Sequence, residues 1–205
     1  MSVFTINGSA VLAMKGNDCV SIASDLRFGI NRHTVMTDFP KTFEMGPGLF
    51  VGLAGLATDI QTVQQKLNFR MKMFELREGR KMRPNTFSTM LSHLLYERRF
   101  GPFFVNPIVA GYDYVENKPF ISSMDLIGAI TIPEDFVAAG TSEDSLMGMC
   151  EALWFENMNP EELFEATSQA IMNSFDRDSL AGWGAEVHII EKHQVTTRRI
   201  KTRMD

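Results

Sequence analysis

The chain has 205 residues, 44% of them hydrophobic and 22% charged, with a formal net charge of -5. That length and apolar content suffice for one domain with a sizeable core. The mild acidity argues against a nucleic-acid surface, which needs clustered basic residues, and no apolar run nears the ~18 residues of a membrane span.

The first third reads as strands. "AVLAM" (10–14) and "CVSIASD" (19–25) flank a Lys15-Gly16-Asn17-Asp18 turn, and "TFEMG" (42–46) and "LFVGLAG" (49–55) flank Gly46-Pro47-Gly48. These runs carry small and apolar residues at most positions, so the sheet is expected to be covered on both faces. Thr58 with Gln61 reads as a capping box opening a helix with Ile60, Val63, Leu67, Met71 and Phe74 inward, stopped at Gly79. Phe87, Met90, Leu91, Leu94 and Leu95 mark a second amphipathic helix ending before Gly101-Pro102. Strands return at "PIVAGYD" (107–113), "KPFISSMD" (118–125) and "FVAAG" (136–140). Thr141 can cap a third helix carrying Leu146, Met149, Cys150 and Leu153. Asn159-Pro160-Glu161-Glu162 opens a fourth, with a cap, a first-turn proline and acids at the positive dipole end. Its inner face is Leu163, Thr167, Ala170, Ile171 and Ser174. Strands "AEVHIIEK" (185–192) and "VTTRRI" (195–200) close the chain. Helices in pairs and strands in hairpins predict an α+β fold with antiparallel sheets between helical layers, not alternating βαβ units.

No Gly/Ser tract, charge block or repeat divides the chain, so one domain is expected. Cys19 and Cys150 lie in apolar stretches without CxxC spacing and read as reduced core thiols. The opening "MSVFTINGSAVLAMKG" lacks the basic region and apolar core of a signal peptide, which predicts a cytoplasmic and nuclear chain. The histidines at 33, 93, 188 and 193 are dispersed without ligand spacing, and no glycine-rich phosphate loop exists, so neither a metal nor a cofactor is expected.

The element order, with "DFPKTFEMG", "GLAGLATD", "LLYERRFGPFFVNPIVAGYD", "SMDLIG", "GMCEALW", "LFEATSQAIMNSFDRDSLAGWGAEVHIIEK" and the ending "KTRMD", resembles the beta subunits of the eukaryotic 20S proteasome. The resemblance covers essentially the whole chain. It implies the N-terminal-nucleophile hydrolase fold, a four-layer αββα sandwich, with residues 9–205 as one beta-type domain. In active members a propeptide is cut after glycine, freeing a threonine whose hydroxyl attacks and whose own amine acts as base. A hydroxyl needs such a base, and an α-amine with a pKa near ~8 suits the task. By the same resemblance, Ser9 falls at the nucleophile, Gly8 at the cleaved glycine, Asp25 and Lys41 at the site aspartate and lysine, Arg27 at a structural arginine and Asp178 at a second aspartate. Ala139 and Ala181 fall where active members carry supporting serines. The resemblance therefore implies a degenerate, non-catalytic site beneath an unprocessed extension, residues 1–8. It also implies a seat in a beta ring between type-2 and type-4 neighbours, against an alpha ring and an opposite beta ring. Asp125 would face the type-2 neighbour's substrate cleft.

The residues themselves leave alternatives open. Ser9 is either a small residue at a strand start or a nucleophile after self-cleavage. Asp25, Arg27 and Lys41 are either catalytic or a buried ion network fixing the sheet ends. Asp125 is either a substrate-pocket carboxylate or a turn cap.

Overall fold

The computed structural model describes residues 2–204. Met1, at the start of the expected extension, and Asp205, at the end of "KTRMD", lie outside the described residues. A single 3-10 turn, Val3–Thr5, comes first. Then follow β1 (Ala10–Lys15), β2 (Cys19–Asp25), β3 (Phe28–Ile30), β4 (His33–Met36), β5 (Thr42–Gly46) and β6 (Leu49–Gly55). The helices α1 (Ala57–Glu78) and α2 (Pro84–Tyr96) lead to β7 (Val105–Asp113), β8 (Lys118–Met124), β9 (Ile130–Thr131) and β10 (Phe136–Gly140). The helices α3 (Glu143–Leu153) and α4 (Pro160–Phe175) precede β11 (Ala185–Glu191) and β12 (Val195–Ile200).

The long strands form two antiparallel sheets, β10-β1-β2-β11-β12 and β5-β6-β7-β8-β9. Strand alternation sorts their side chains into three apolar layers. Leu12 and Met14 of β1 pack outward with Leu146, Cys150, Leu163 and Ile171 of α3 and α4. Val11 and Ala13, between them in sequence, point the other way and meet Phe50, Ile108 and Ala110 of the second sheet. The outer face of that sheet takes α1 and α2 through Ile60, Val63, Leu67, Phe87 and Leu91. The result is the expected αββα sandwich. Each fully buried Leu or Phe stabilises it by roughly 1.5–3 kcal/mol.

The helix ends show where local sequence decides and where it does not. Asn159 Oδ1 accepts from the Glu162 amide at 2.9 Å and Glu162 Oε2 from the Asn159 amide at 2.9 Å, a complete capping box. Gly79 ends α1 in the left-handed region at φ 65°. The expected Thr58 box does not form, because the helix starts two residues earlier, with Leu56 at the cap. Its Ala57 amide instead donates to Asn7 Oδ1 at 2.9 Å, and Asp59 takes the Phe104 amide at 2.8 Å. Thr141 does not cap α3 either, since Ser142 holds the cap position without a side-chain bond. The β3–β4 hairpin was not expected from the sequence. Its Ile30, Val35 and Met36 are exposed, so no buried alternation marks it.

Candidate functional site

Ser9 stands one residue before β1, and its neighbours are the ends of other strands. Asp25 ends β2, Lys41 immediately precedes β5, and Gly140 ends β10. Asp25 Oδ1 accepts from the Ala10 amide at 2.9 Å and from Lys41 Nζ at 2.8 Å. Its Oδ2 faces the Arg27 and Gly182 amides at 3.3 and 3.4 Å. Lys41 Nζ also donates to the Asp25 carbonyl at 3.3 Å and the Arg27 carbonyl at 2.8 Å. Three acceptors match the three hydrogens of an ammonium, and four donors match a carboxylate, so the pair is complete within the fold. Asp25 is wholly buried and Lys41 nearly so. Burial pushes the Asp25 carboxyl up and the Lys41 ammonium down, against the attraction of each for the other. Because Asp25 lies in the first sheet and Lys41 at the edge of the second, the ion pair ties the two sheets together.

Arg27 extends this network toward the N-terminal segment. Its guanidinium donates to the carbonyls of Asn7 (3.2 Å), Leu180 (2.9 Å) and Asn31 (3.0 Å) and to Thr34 Oγ1 (3.0 Å). Asn7 is itself buried, and its amide group donates to the Gly29 carbonyl at 2.9 Å while accepting from Ala57. The Asn31 amide donates to the Ile6 carbonyl at 2.6 Å, and Phe4 sets its ring edge-on to Phe104 at 5.9 Å. Gly8 takes φ 71°, and a Cβ there would collide with the Leu180 carbonyl. Residues 4–8 are therefore built into the fold by side-chain and backbone bonds.

Ser9 is 1% exposed. Its nitrogen is a peptide amide that donates to Thr141 Oγ1 at 3.2 Å, and its carbonyl accepts from the Thr141 amide at 2.8 Å. Thr141 Oγ1 in turn donates to Asp178 Oδ2 at 2.7 Å, beside Ser142 Oγ at 2.6 Å, and Asp178 Oδ1 takes the Leu180 amide at 2.8 Å. Among the described residues the Ser9 hydroxyl has no hydrogen-bond partner. A buried hydroxyl without one costs about 1–3 kcal/mol.

The structure thus brings Ser9, Asp25, Arg27, Lys41 and Asp178 to one place. Ala181 is also there, and it packs a methyl into the helix-side core. Ala139 is different. Its methyl faces the core between the sheets, opposite Val11, and does not bear on Ser9. The hydroxyl at the Ser9 backbone comes from Thr141, two residues on, which sequence reasoning had assigned to a helix cap. Asn7 was missed altogether. Asp125 is not joined to this network. Its Oδ1 accepts from the Ile127 and Ala129 amides at 3.0 and 2.8 Å and closes the turn between β8 and β9.

The other titratable core groups are plain. Burial pushes the thiols of Cys19 and Cys150 up to about 12, as befits inert core residues. His188 is buried between the sheets, stacked on Phe50 and bonded to Thr42 Oγ1 (3.1 Å) and Thr197 Oγ1 (2.8 Å). Burial lowers its pKa, with Glu186 acting in the opposite sense.

A family model described as "Proteasome subunit" matches residues 5–190. The chain belongs to the proteasome subunit family. Within it, the chain is similar from end to end to beta type-3 subunits. It is 54% identical to the "Proteasome subunit beta type-3" of Drosophila melanogaster, over 205 residues and 100% of both chains. The proteins of the same description from Picea mariana and Caenorhabditis elegans are 51% and 48% identical, again over 100% of both chains.

Proposed function

We propose that the chain is a non-catalytic beta subunit of the 20S core, which completes the beta ring and the wall of the proteolytic chamber used in ATP- and ubiquitin-dependent protein degradation. Its place is in the cytoplasm and nucleus, between type-2 and type-4 neighbours, with an alpha ring on one side and the opposite beta ring on the other. The observation that carries this reading is the nitrogen of Ser9. It is an amide held by Thr141, inside a segment that Asn7 and Arg27 pin down. An amide cannot act as general base, and the Asp25–Lys41 pair that would assist it is saturated by the fold. Replacing Ser9 with alanine in assembled particles should leave every peptidase activity unchanged. Loss of any one activity would contradict the proposal.

A second reading, self-cleavage that makes Ser9 a nucleophile, is favoured by one observation: its buried hydroxyl is committed to no other bond among the described residues. The Asp125 loop is also proposed to shape the substrate cleft of the type-2 neighbour. Its exposure supports that role, although one carboxylate oxygen already holds the turn. Asp125→Asn should lower cleavage of basic reporters relative to neutral ones. An unchanged ratio removes the pocket role.

A further inference from the structure

Lys41 leads into β5 near Ser9, and a cavity of about 200 Å³ lies at the other end of that strand, past Gly46. It sits beneath the last turns of α1, where the β5–β6 turn, the α1–α2 connection and the residues after β7 converge. Its walls include Leu49, Met71, Met82 and Pro84, all buried. Tyr114 and Val115 also line it and are 48% and 70% exposed, so it opens to solvent. The turn sequence leaves this space. A Cβ added to Gly46 would meet only the terminal methyl of Met71, at 3.8 Å. The charged groups around the cavity already hold one another. Lys81 Nζ donates to Glu75 Oε1 at 2.8 Å, and Arg83 donates to Asp113 Oδ2 at 2.8 and 3.0 Å and to Glu116.

We propose that this cavity is a binding site for a small, neutral aromatic molecule. Its size sets the class. A dry apolar cavity of about 150 Å³ admits benzene, whereas sites for drug-sized ligands begin near ~300 Å³. One substituted ring or a compact fused pair therefore fits. Charge complementarity sets the polarity. An ionic ligand would give up its hydration and meet only Lys81, Glu75, Arg83 and Asp113, each already in an ion pair. A neutral ligand disturbs neither pair. The two thioethers favour a ring, because methionine sulfur makes favourable contacts with aromatic rings and its unbranched chain adapts to irregular shapes. The walls come from one chain and use none of Ser9, Asp25 or Lys41, so the site stands independently of the non-catalytic reading.

The test uses purified particles that contain the chain. Their crystals are soaked with para-iodophenol, and the iodine is located by its anomalous scattering. Iodine between Leu49, Met71 and Met82 is expected, and its absence there overturns the proposal. In solution at neutral pH, para-fluorophenol and para-fluorobenzoate are titrated by fluorine NMR into wild-type particles and into particles carrying Met71→Trp, which fills the cavity. Wild type should bind one more fluorophenol per copy of the chain than the variant. Equal binding by the two contradicts the proposal, since the soaked iodine would then reflect binding at crystal concentration only. At the site that Met71→Trp removes, fluorobenzoate should bind at least about tenfold more weakly than fluorophenol. Binding of the two within about twofold contradicts the neutral class of ligand. The soak needs no variant, so it decides the proposal even where Met71→Trp fails to assemble.

Discussion

Ser9 and Phe100 break the usual sorting of polar and apolar groups in opposite directions. Ser9 is 1% exposed and its hydroxyl has no hydrogen-bond partner among the described residues, whereas Phe100 is 99% exposed. Around Ser9 every charged neighbour is satisfied from within the chain. Asp25 meets Lys41, Ala10, Arg27 and Gly182, and Asp178 meets Thr141, Ser142 and Leu180. Around Phe100 the reverse holds, with Lys66 and Arg98 outside any ion pair among the described residues. On the proposed non-catalytic reading, the region closed on itself has a structural task. A region with unmet apolar and charged groups is shaped by something outside the chain.

The closed region should be the more costly to disturb. Replacing Lys41 with methionine strands the buried Asp25 carboxylate and should destabilise the chain by about 3–5 kcal/mol, read as a lowered unfolding temperature of the particle. Adding Asp25→Asn should recover part of that loss, because the remaining pair no longer buries a lone charge. Asn7→Ala comes next. It leaves the Ala57 amide and the Gly29 carbonyl without partners and should cost about 1–3 kcal/mol, with faster hydrogen exchange in residues 4–8. An undisturbed segment would break the comparison, since it would show that the extension is not pinned.

His188 sharpens it through pH. Its folded pKa lies below the unfolded one, so the unfolded chain takes up the proton first. The stability it contributes is intact above about pH 6.5 and is lost as pH falls toward the folded value. Thermal unfolding at about pH 7.5 and 5.5 should show the larger acid loss in wild type than in His188→Gln. The smallest effect belongs to Ser9→Ala. Removing a hydroxyl that has no partner among the described residues should leave the unfolding temperature equal or slightly higher, whereas a clear drop would mean the hydroxyl has a structural partner.

Much of the fold was legible because it rests on local signals. Strand runs such as 19–25 and 49–55 coincide with β2 and β6, and Asn159 and Gly79 sit at the helix ends that their chemistry dictates. What failed was long-range. The α1 cap comes from Asn7, 50 residues upstream, so the local pattern at Thr58 misled. Thr141 has good capping chemistry, but its hydroxyl is drawn to Ser9 and Asp178, 132 and 37 residues away. Ala139 was misread for the neighbouring reason: strand alternation turns its side chain to the other face of the sheet, away from Ser9. The β3–β4 hairpin escaped because a strand pair with exposed Ile30, Val35 and Met36 has no core to give it a period.

The account turns on whether the Gly8–Ser9 bond survives in the assembled particle. Intact mass, with N-terminal sequencing of the chain isolated from purified particles, decides it. The predicted result is a chain that retains Asn7 and Gly8 ahead of Ser9. A chain that begins at Ser9, with a free α-amine beside that hydroxyl, would contradict the non-catalytic reading and restore Asp25 and Lys41 to a catalytic task.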